Sequence, residues 1–454
     1  MTSQTRGRGW RFRLGTARVM WPGAAVALLV LAVLIGGGGS RYALSNLLIQ
    51  IAAIAAISFY YRAAWSKWTE WPRGLKILAA ATIALPLLHL IPLPSGMWQT
   101  LPGRGLAAEA RDIVAMGDGW FPLTLDRSRT VLAFAALLPP LAVLLLMPKA
   151  TTGQSLIRLI LALAVANLVL GGFQIVINAN LPYGYPVLER GRLYGFFANH
   201  NTSGLFFVIA LCLLTGANLR FGQSKASSAQ VELALKAGLA IALVVGVILT
   251  QSRSSNALMA LVLAGWLVTA VRRRWADGGA IKRWYLLVPA ALVALVIALV
   301  WGNNRVRQTI DRFGDLDDQR YSIWSDTLVA IDHFFPVGSG MGSFDEVFQN
   351  FESLETLVPA MARRAHNDYL EIGLEAGLFG LALVAGWLLW LGVTWWRRRR
   401  GPAAQQNNAV VLALTSIAAQ SCVDYPLRNE AILCVAAALI GILVMQPIGT
   451  SKKR

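Results

Sequence analysis

Charged residues are scarce in this sequence. Asp, Glu, Lys and Arg make up 14% of its 454 residues, whereas apolar residues make up 56% and the mean hydropathy is +0.55. This balance excludes an ordinary soluble domain of comparable length. Cysteine is rarer still: Cys212 and Cys434 lie inside apolar runs, and Cys422 lies at the end of one. Such a placement implies no disulfide framework.

Histidine is also sparse, and its positions indicate no metal site. His89, His200, His333 and His366 show no paired spacing to one another or to cysteine. The sequence also lacks the glycine-rich loop with which P-loop proteins bind phosphate, so an ATP-driven pump is a poor interpretation. We therefore predict that the protein uses neither a metal ion nor a cofactor.

Long apolar runs are abundant instead. Because a transmembrane helix needs about 20 mostly apolar residues, we interpret about 12 runs as candidate spans, which predicts an all-α polytopic membrane protein. The first run follows a basic arm and lacks a small-residue cleavage site, so we expect it to be retained as an anchor. The runs are 19–36, 43–61, 75–93, 131–148, 156–178, 203–219, 233–250, 255–271, 285–301, 373–396, 408–421 and 430–447.

Lys and Arg fall mainly on one side of this arrangement. Short loops rich in these residues stay in the cytoplasm, and the N-terminal arm, the run Arg397 to Arg400 and the C-terminal residues share one side. We therefore expect a multi-pass membrane protein with both termini in the cytoplasm. The net charge of +18 then reflects topology and attraction to anionic lipid headgroups. Nucleic-acid binding is a poor explanation for it.

This topology divides the chain into three parts. Residues 1–301 hold the first nine spans, residues 302–372 form a large extracytoplasmic segment, and residues 373–454 hold the last three spans. This extracytoplasmic segment is too long for a simple connector. Its apolar spacing predicts helices over Tyr321–Phe334 and Met361–Ala376, and hence a small helical cap.

Glycine and proline shape the middle of this cap. Pro336 and the series Gly338, Gly340 and Gly342 force a bend between the two predicted helices. An earlier exported loop, 94–130, is punctuated by Pro and Gly, and we interpret it as a connector without chemistry of its own. The remaining exported segments with unusual residues are 179–202, 251–254 and 422–429.

Arg253 is the residue that points most strongly to function. It lies at the turn between two apolar runs, where a charge at bilayer depth costs about 2.5 to 3.5 kcal/mol, so an anionic group is expected to compensate it. The alternative is an interfacial cation that extends its side chain to lipid phosphates, which is common at helix ends.

Several short motifs share the exported side with Arg253. His366 and Asn367 are followed by nine residues, then Gly377, two more residues and Gly380. The other motifs are Ser252 with Arg253; Arg320 with Trp324, Pro336, Gly338 and Gly340; Gly195, Phe196, Asn199 and Asn201; and Asp424, Tyr425, Pro426 and Leu427.

In these motifs, over roughly residues 130–445, the chain resembles the bacterial O-antigen ligase and polymerase superfamily. Its members act on polyprenyl-linked sugars at the periplasmic face of the inner membrane. The spacing after His366 is that of the ligases and is the most specific match. The chain departs from the family pattern at Ser254, where Gly is more usual, and at His200, which replaces Pro.

The resemblance implies a metal-independent, inverting glycosyltransferase of GT-C-like architecture. The donor is expected to be a glycan on undecaprenyl diphosphate, and the acceptor to be lipid A core or a second glycan. Arg253 and Arg320 are expected to hold the diphosphate, since a guanidinium binds phosphate oxygens in a planar fork. Arg192 is a third candidate, on position alone.

His366 is then expected to take the proton from the acceptor hydroxyl, since an imidazole can titrate near neutral pH. Asn201 and Asp368 are candidates for positioning sugars or orienting this base. Duller roles stay open: His366 could cap a helix, Arg320 could pair with a nearby aspartate, and Asp424 and Arg428 are expected to hold their turn together.

Two other functions stay open beside ligation. A polymerase of the same superfamily uses the same donor and differs only in the acceptor. A transporter or flippase of lipid-linked oligosaccharide would also need arginines near a diphosphate, but such proteins commonly show two related halves, and the sequence shows no internal repeat. A purely structural subunit would leave the spacing after His366 unexplained.

Overall fold

A computed structural model describes residues 17–147, 153–177, 185–186, 188–220, 227–277, 319–356 and 362–445. These residues are almost entirely helical. The helices are α1 Ala17–Ile35, α2 Ala43–Phe59, α3 Tyr61–Glu70, α4 Arg73–His89, α5 Ser95–Trp98, α6 Gly105–Ile113, α7 Arg127–Ala135, α8 Leu138–Leu146, α9 Gly153–Ile177, α10 His200–Leu214, α11 Ser227–Thr250, α12 Arg253–Asp277, α13 Arg320–Phe334, α14 Phe344–Phe348, α15 Asp368–Arg398, α16 Ala404–Gln420 and α17 Glu430–Met445. Three 3₁₀ turns cover Gly39–Arg41, Leu354–Thr356 and Pro426–Arg428.

Several described helices are long and apolar enough to cross a membrane. Four qualify, namely Arg127–Leu146, Gly153–Ile177, Ala229–Thr250 and Asp368–Arg398. A fifth qualifies if α2 and α3 are taken as one span, although they meet at an angle of 84°. The predicted span 285–301 lies outside the described residues. The figure of about 12 spans therefore stays a prediction, while the helical, membrane-type character of the chain is confirmed.

Helix α10 lies at the centre of the main core. All its residues from Asn201 to Leu214 are buried, and it packs against α9, α11, α12 and α16. A helix that is apolar on every side needs such surroundings. A second group forms around α8, which contacts α1, α2, α3 and α17. Helix α10 thus carries its N-terminal residues, His200 and Asn201, into the interior of the helix assembly.

The cap has a small core of its own. Phe334 from α13, Phe344 and Phe348 from α14, and Leu374 from α15 are buried together. The predicted helix Tyr321–Phe334 is confirmed as α13. The second predicted helix begins only at Asp368, and residues 362–367 before it are not helical.

The side chain of Asn367 explains that later start. Its Oδ1 accepts hydrogen bonds from the backbone N–H groups of Tyr369 and Leu370, at 2.9 and 3.1 Å, and so caps the first turn of α15. The helix then continues past residue 372, where the sequence suggested that the cap ends and a span begins.

The glycine motif after His366 marks a break in α15. Gly377 has φ 54° and ψ −139°, which is not helical. The break frees carbonyl groups of the preceding turn, and the bend 336–340 satisfies them: Ser339 N–H donates to Leu374 O at 2.9 Å, and Gly340 N–H donates to Glu375 O at 2.8 Å. A Cβ on Gly377 would lie 2.1 Å from Pro336 O, so only glycine fits. The bend and the break therefore form one unit.

The connector 92–130 has more structure than the sequence suggested. Strands β1 (Pro92–Pro94) and β2 (Trp120–Pro122) pair antiparallel and are the only strands among the described residues. Arg104 is fully buried, and its Nη2 donates to Leu123 O at 2.6 Å and to Gly338 O at 2.9 Å. The connector is thus part of the cap.

Candidate active site

His366 lies in the non-helical segment just before α15, in a backbone conformation that few residues adopt. Its φ is 50°, in the left-handed region. Neighbouring contacts fix this conformation: Trp324 Nε1–H donates to Ala365 O at 2.8 Å, and Asp368 N–H donates to Ser421 O at 2.9 Å. Left-handed conformations of residues other than glycine cost about 1–3 kcal/mol and cluster at functional sites. The fold therefore holds the imidazole in a defined place.

Asp424 is the charged partner of this imidazole. Its Oδ1 lies 3.4 Å from His366 Nδ1, slightly beyond an ordinary hydrogen bond, and its side chain is 2% exposed. Burial alone would raise the pKa of the Asp424 carboxyl, but His366 and Arg320 together bring it below its ordinary value. Asp424 is therefore ionised at neutral pH. Nδ1 is therefore the imidazole nitrogen on the side of this carboxylate.

The ring of Tyr425 completes the surroundings of His366. The two rings meet edge to face, with centroids 5.0 Å apart. Burial and the charge of Asp424 raise the pKa of the Tyr425 hydroxyl to about 12, so this group stays neutral. From the opposite side, Asn199 Nδ2–H lies 3.5 Å from Asp424 Oδ2. The turn after α16 thus joins the start of α10 to the start of α15.

Arg320 reaches the same turn from the cap. As the first residue of α13, it donates from Nη1 to Val423 O at 2.9 Å, and its charge contributes to the lowered pKa of Asp424. The structure therefore brings Arg320, predicted as a phosphate ligand, close to the carboxylate that faces His366.

Arg253 begins α12 in a hinge of serines that connects two of these elements. Ser254 Oγ accepts a hydrogen bond from Gln420 Nε2 at 2.8 Å, at the end of α16. Ser255 Oγ donates to Asn201 O at 3.2 Å, at the start of α10. Gln251, just before the hinge, has φ 56° and so shares the left-handed conformation of His366.

Arg192 is held on the other side of the start of α10. Its Nη1 donates to Glu189 Oε1 at 2.5 Å and to His200 Nε2 at 3.0 Å. Because a guanidinium can only donate, Nε2 of His200 is the acceptor and this imidazole is neutral. The predicted ligand Arg192 thus sits beside the residue that replaces the family's proline.

The two candidate positioning residues lie in different surroundings. Asn201 is buried, its N–H donates to Asn199 Oδ1 at 2.8 Å, and its carbonyl accepts from the serine hinge. Asp368 is buried, and its Oδ2 accepts from Ser421 Oγ at 2.8 Å and from Leu427 N–H at 3.1 Å. Asp368 thus braces the turn, while Asp424 takes the place beside the imidazole.

A buried ionic network supports the site from behind. Asp368, Glu371 and Glu375 lie on one face of the first turns of α15. Arg428 reaches this face, with Nη2 at 2.7 Å from Glu375 Oε2 and Nε at 3.2 Å from Glu371 Oε1. Burial alone would lower the pKa of Arg428, but the two glutamates raise it above its ordinary value. Arg364 also pairs with Glu371, at 2.5 Å.

Comparison with known families agrees with this geometry. Residues 238–385 match a family model described as O-antigen ligase. This match supports the resemblance of the chain to the O-antigen ligase and polymerase superfamily. No curated protein matches the chain. The matched O-antigen ligase domain contains Arg253, Arg320, His366 and the break at Gly377, whereas Arg192, Asn201 and Asp424 lie outside it.

The sequence predicts that Asp424 holds its turn together and does not predict its contact with His366. A signal was present, since Asp424 begins a motif that resembles the superfamily's late periplasmic turn, and the predicted topology puts this motif on the same side as His366. The pairing itself depends on how α15 and α16 pack. The ionic network around Arg428 gave no signal beyond isolated charges.

Proposed function

We propose that this O-antigen ligase family member transfers a glycan from undecaprenyl diphosphate to an acceptor hydroxyl, at the periplasmic face of the inner membrane. The proposal includes a metal-independent, inverting mechanism, a GT-C-like architecture of about 12 spans, and a lipid A core acceptor. The observation that carries it is the ionised, buried Asp424 facing His366, with Arg320 on the same turn.

Catalysis begins at the acceptor. Nε2 of His366 takes the proton of the acceptor hydroxyl as its oxygen attacks the anomeric carbon, and Asp424 stabilises the imidazolium that forms. A positioned general base of this kind contributes about 10²- to 10⁴-fold to the rate. Asp424 resembles the orienting carboxylate of other histidine-dependent sites, which keeps the imidazole in one tautomer.

The leaving group is the diphosphate. As the new glycosidic bond forms, the bond from the anomeric carbon to the phosphate oxygen breaks, and undecaprenyl diphosphate leaves with the electron pair. Arg253, Arg320 and Arg192 hold its oxygens. Electrostatic stabilisation of a developing anion is worth about 2.7–4 kcal/mol per well-placed donor. Arg253 begins α12, Arg320 begins α13 and Arg192 precedes α10, so the three would hold the diphosphate from separate elements.

The acceptor that receives the glycan distinguishes a ligase from a polymerase. Purified protein is offered synthetic undecaprenyl diphosphate glycan together with lipid A core or with a second donor molecule. A ligase forms the lipid A core product, whereas a polymerase forms a lengthened lipid-linked glycan. Formation of neither product, while labelled donor crosses the bilayer of a proteoliposome, would favour the transporter instead.

A further inference from the structure

The connector between α4 and α7 exposes an unusual number of large apolar side chains. Six of them, each at least 60% exposed, lie within residues 97–120, and we call them the connector patch. They are Met97, Leu106, Ile113, Val114, Met116 and Trp120. Large exposed apolar side chains that are concentrated in one short segment favour a contact with a partner or a membrane.

Helix α6 turns this patch outward in a fixed orientation. The guanidinium of Arg111 lies 4.1 Å from the ring centroid of Trp98 and 4.0 Å from that of Phe121, so one face of α6 is held against the hairpin. Leu106 and Ile113 are seven residues apart and therefore share a different face. None of the α6 residues is buried. The apolar face of α6 is therefore exposed, while the face that carries Arg111 packs against the hairpin.

The connector leaves and returns at the membrane boundary. Strand β1 begins shortly after the end of α4 at His89, and β2 ends shortly before Arg127, where a helix long enough to cross the membrane begins. Because the two strands pair, both ends of the connector lie together. Two further apolar side chains at this end of the connector, Leu88 and Ile91, are 53% and 49% exposed.

We propose that the connector patch lies in the membrane–water interface and contacts the acyl chains and headgroups of the adjacent leaflet. Helix α6 is too short to span a bilayer, and an amphipathic helix with Leu and Ile on one face is typical of interfacial binding. Trp120 at the edge of the patch suits the same boundary, where tryptophan is enriched. The same connector holds Gly338 through Arg104, so lipid contact fixes the height of the cap above the bilayer.

Site-directed spin labelling of the full chain in liposomes tests this proposal. Exposed Cys422 is first replaced by Ser, while Cys212 and Cys434 are buried and stay. Single cysteines are then introduced at two patch positions (I113C and M116C) and at an exposed polar control position in the same connector (D118C). Accessibility of each nitroxide to oxygen and to a water-soluble nickel chelate is measured, in vesicles of phosphatidylethanolamine and phosphatidylglycerol.

We expect an oxygen-to-nickel accessibility ratio several-fold higher at positions 113 and 116 than at position 118. Equal ratios at all three positions would place the patch in water and overturn the proposal. Low accessibility to both reagents at 113 and 116 would indicate a protein contact and would also overturn it. The labels sit on exposed side chains, so folding is retained, and the result does not depend on glycan transfer.

Discussion

Replacing Asp424 by Asn removes the charge beside His366 and leaves the size of the side chain unchanged. At 3.4 Å and an effective dielectric constant of 20, a full positive charge on the imidazole interacts with the carboxylate by about 5 kcal/mol. Only part of that charge is present in the transition state, so we expect transfer to slow by about 10²- to 10³-fold. Donor affinity should change little, because the arginines hold the diphosphate.

Single-turnover transfer from labelled donor measures this effect, and the unfolding midpoint in detergent checks the fold. Asp345→Asn is the matched control, because this carboxylate forms a partly exposed ion pair with Arg129 in the cap, worth at most about 1 kcal/mol. The pKa of Asp424 is lowered, so its ionised carboxylate stabilises the folded protein. This stabilisation is fully present above the ordinary aspartate pKa and is lost as the pH falls through the lowered pKa.

The double variant with His366→Ala and Asp424→Asn gives a further test. In a His366→Ala background there is no imidazolium to stabilise, so adding Asp424→Asn should cost almost nothing more. An undiminished rate in Asp424→Asn alone, or a full additional loss in the double variant, would refute the pairing of Asp424 with the base.

Three further substitutions test the supports of the site. Gly377→Ala places a Cβ 2.1 Å from Pro336 O at φ 54° and should cost more than about 1–3 kcal/mol of stability. Its control, Gly392→Ala, places a Cβ with no atom within 4 Å and should be neutral. Equal unfolding midpoints of the two variants would contradict the account of the break. Arg428→Met leaves Glu371 and Glu375 without their shared partner and should lower the free energy of unfolding by about 3–5 kcal/mol. The control Arg220→Met removes an exposed arginine and should lower it by less than about 1 kcal/mol. Similar unfolding midpoints of the two variants would be incompatible with the network. His200→Pro keeps the first turn of α10 but removes the hydrogen-bond acceptor for Arg192. The Pro variant should therefore bind undecaprenyl diphosphate about ten-fold more weakly than the control His200→Gln does. Equal affinities of the two variants would show that His200 does not position this arginine.

Part of this arrangement was predictable because its causes are local. Apolar spacing predicts α13. The structure accounts for the spacing after His366 through the Asn367 cap and the break at Gly377. The start of α15 was predicted too early, since the apolar period continues before the cap and does not show where the helix begins.

The remainder depends on contacts between distant parts of the chain. The motif that begins at Asp424 indicates the predicted side of the membrane but not the contact with His366, because the pairing arises from the packing of α15 on α16. The loop 94–130 is predicted as a connector punctuated by Pro and Gly with an amphipathic piece, yet buried Arg104 attaches it to the cap. Charges that are buried together cannot be distinguished from solvated charges by sequence alone.

The central claim is that His366 is the base of a glycosyl transfer, and one measurement tests it most directly. Purified His366→Ala and the unsubstituted protein are mixed with labelled undecaprenyl diphosphate glycan and excess acceptor, and bound donor and transferred glycan are both counted. The account predicts that the variant binds donor normally and transfers it about 10²- to 10⁴-fold more slowly. Transfer at the unsubstituted rate would contradict it.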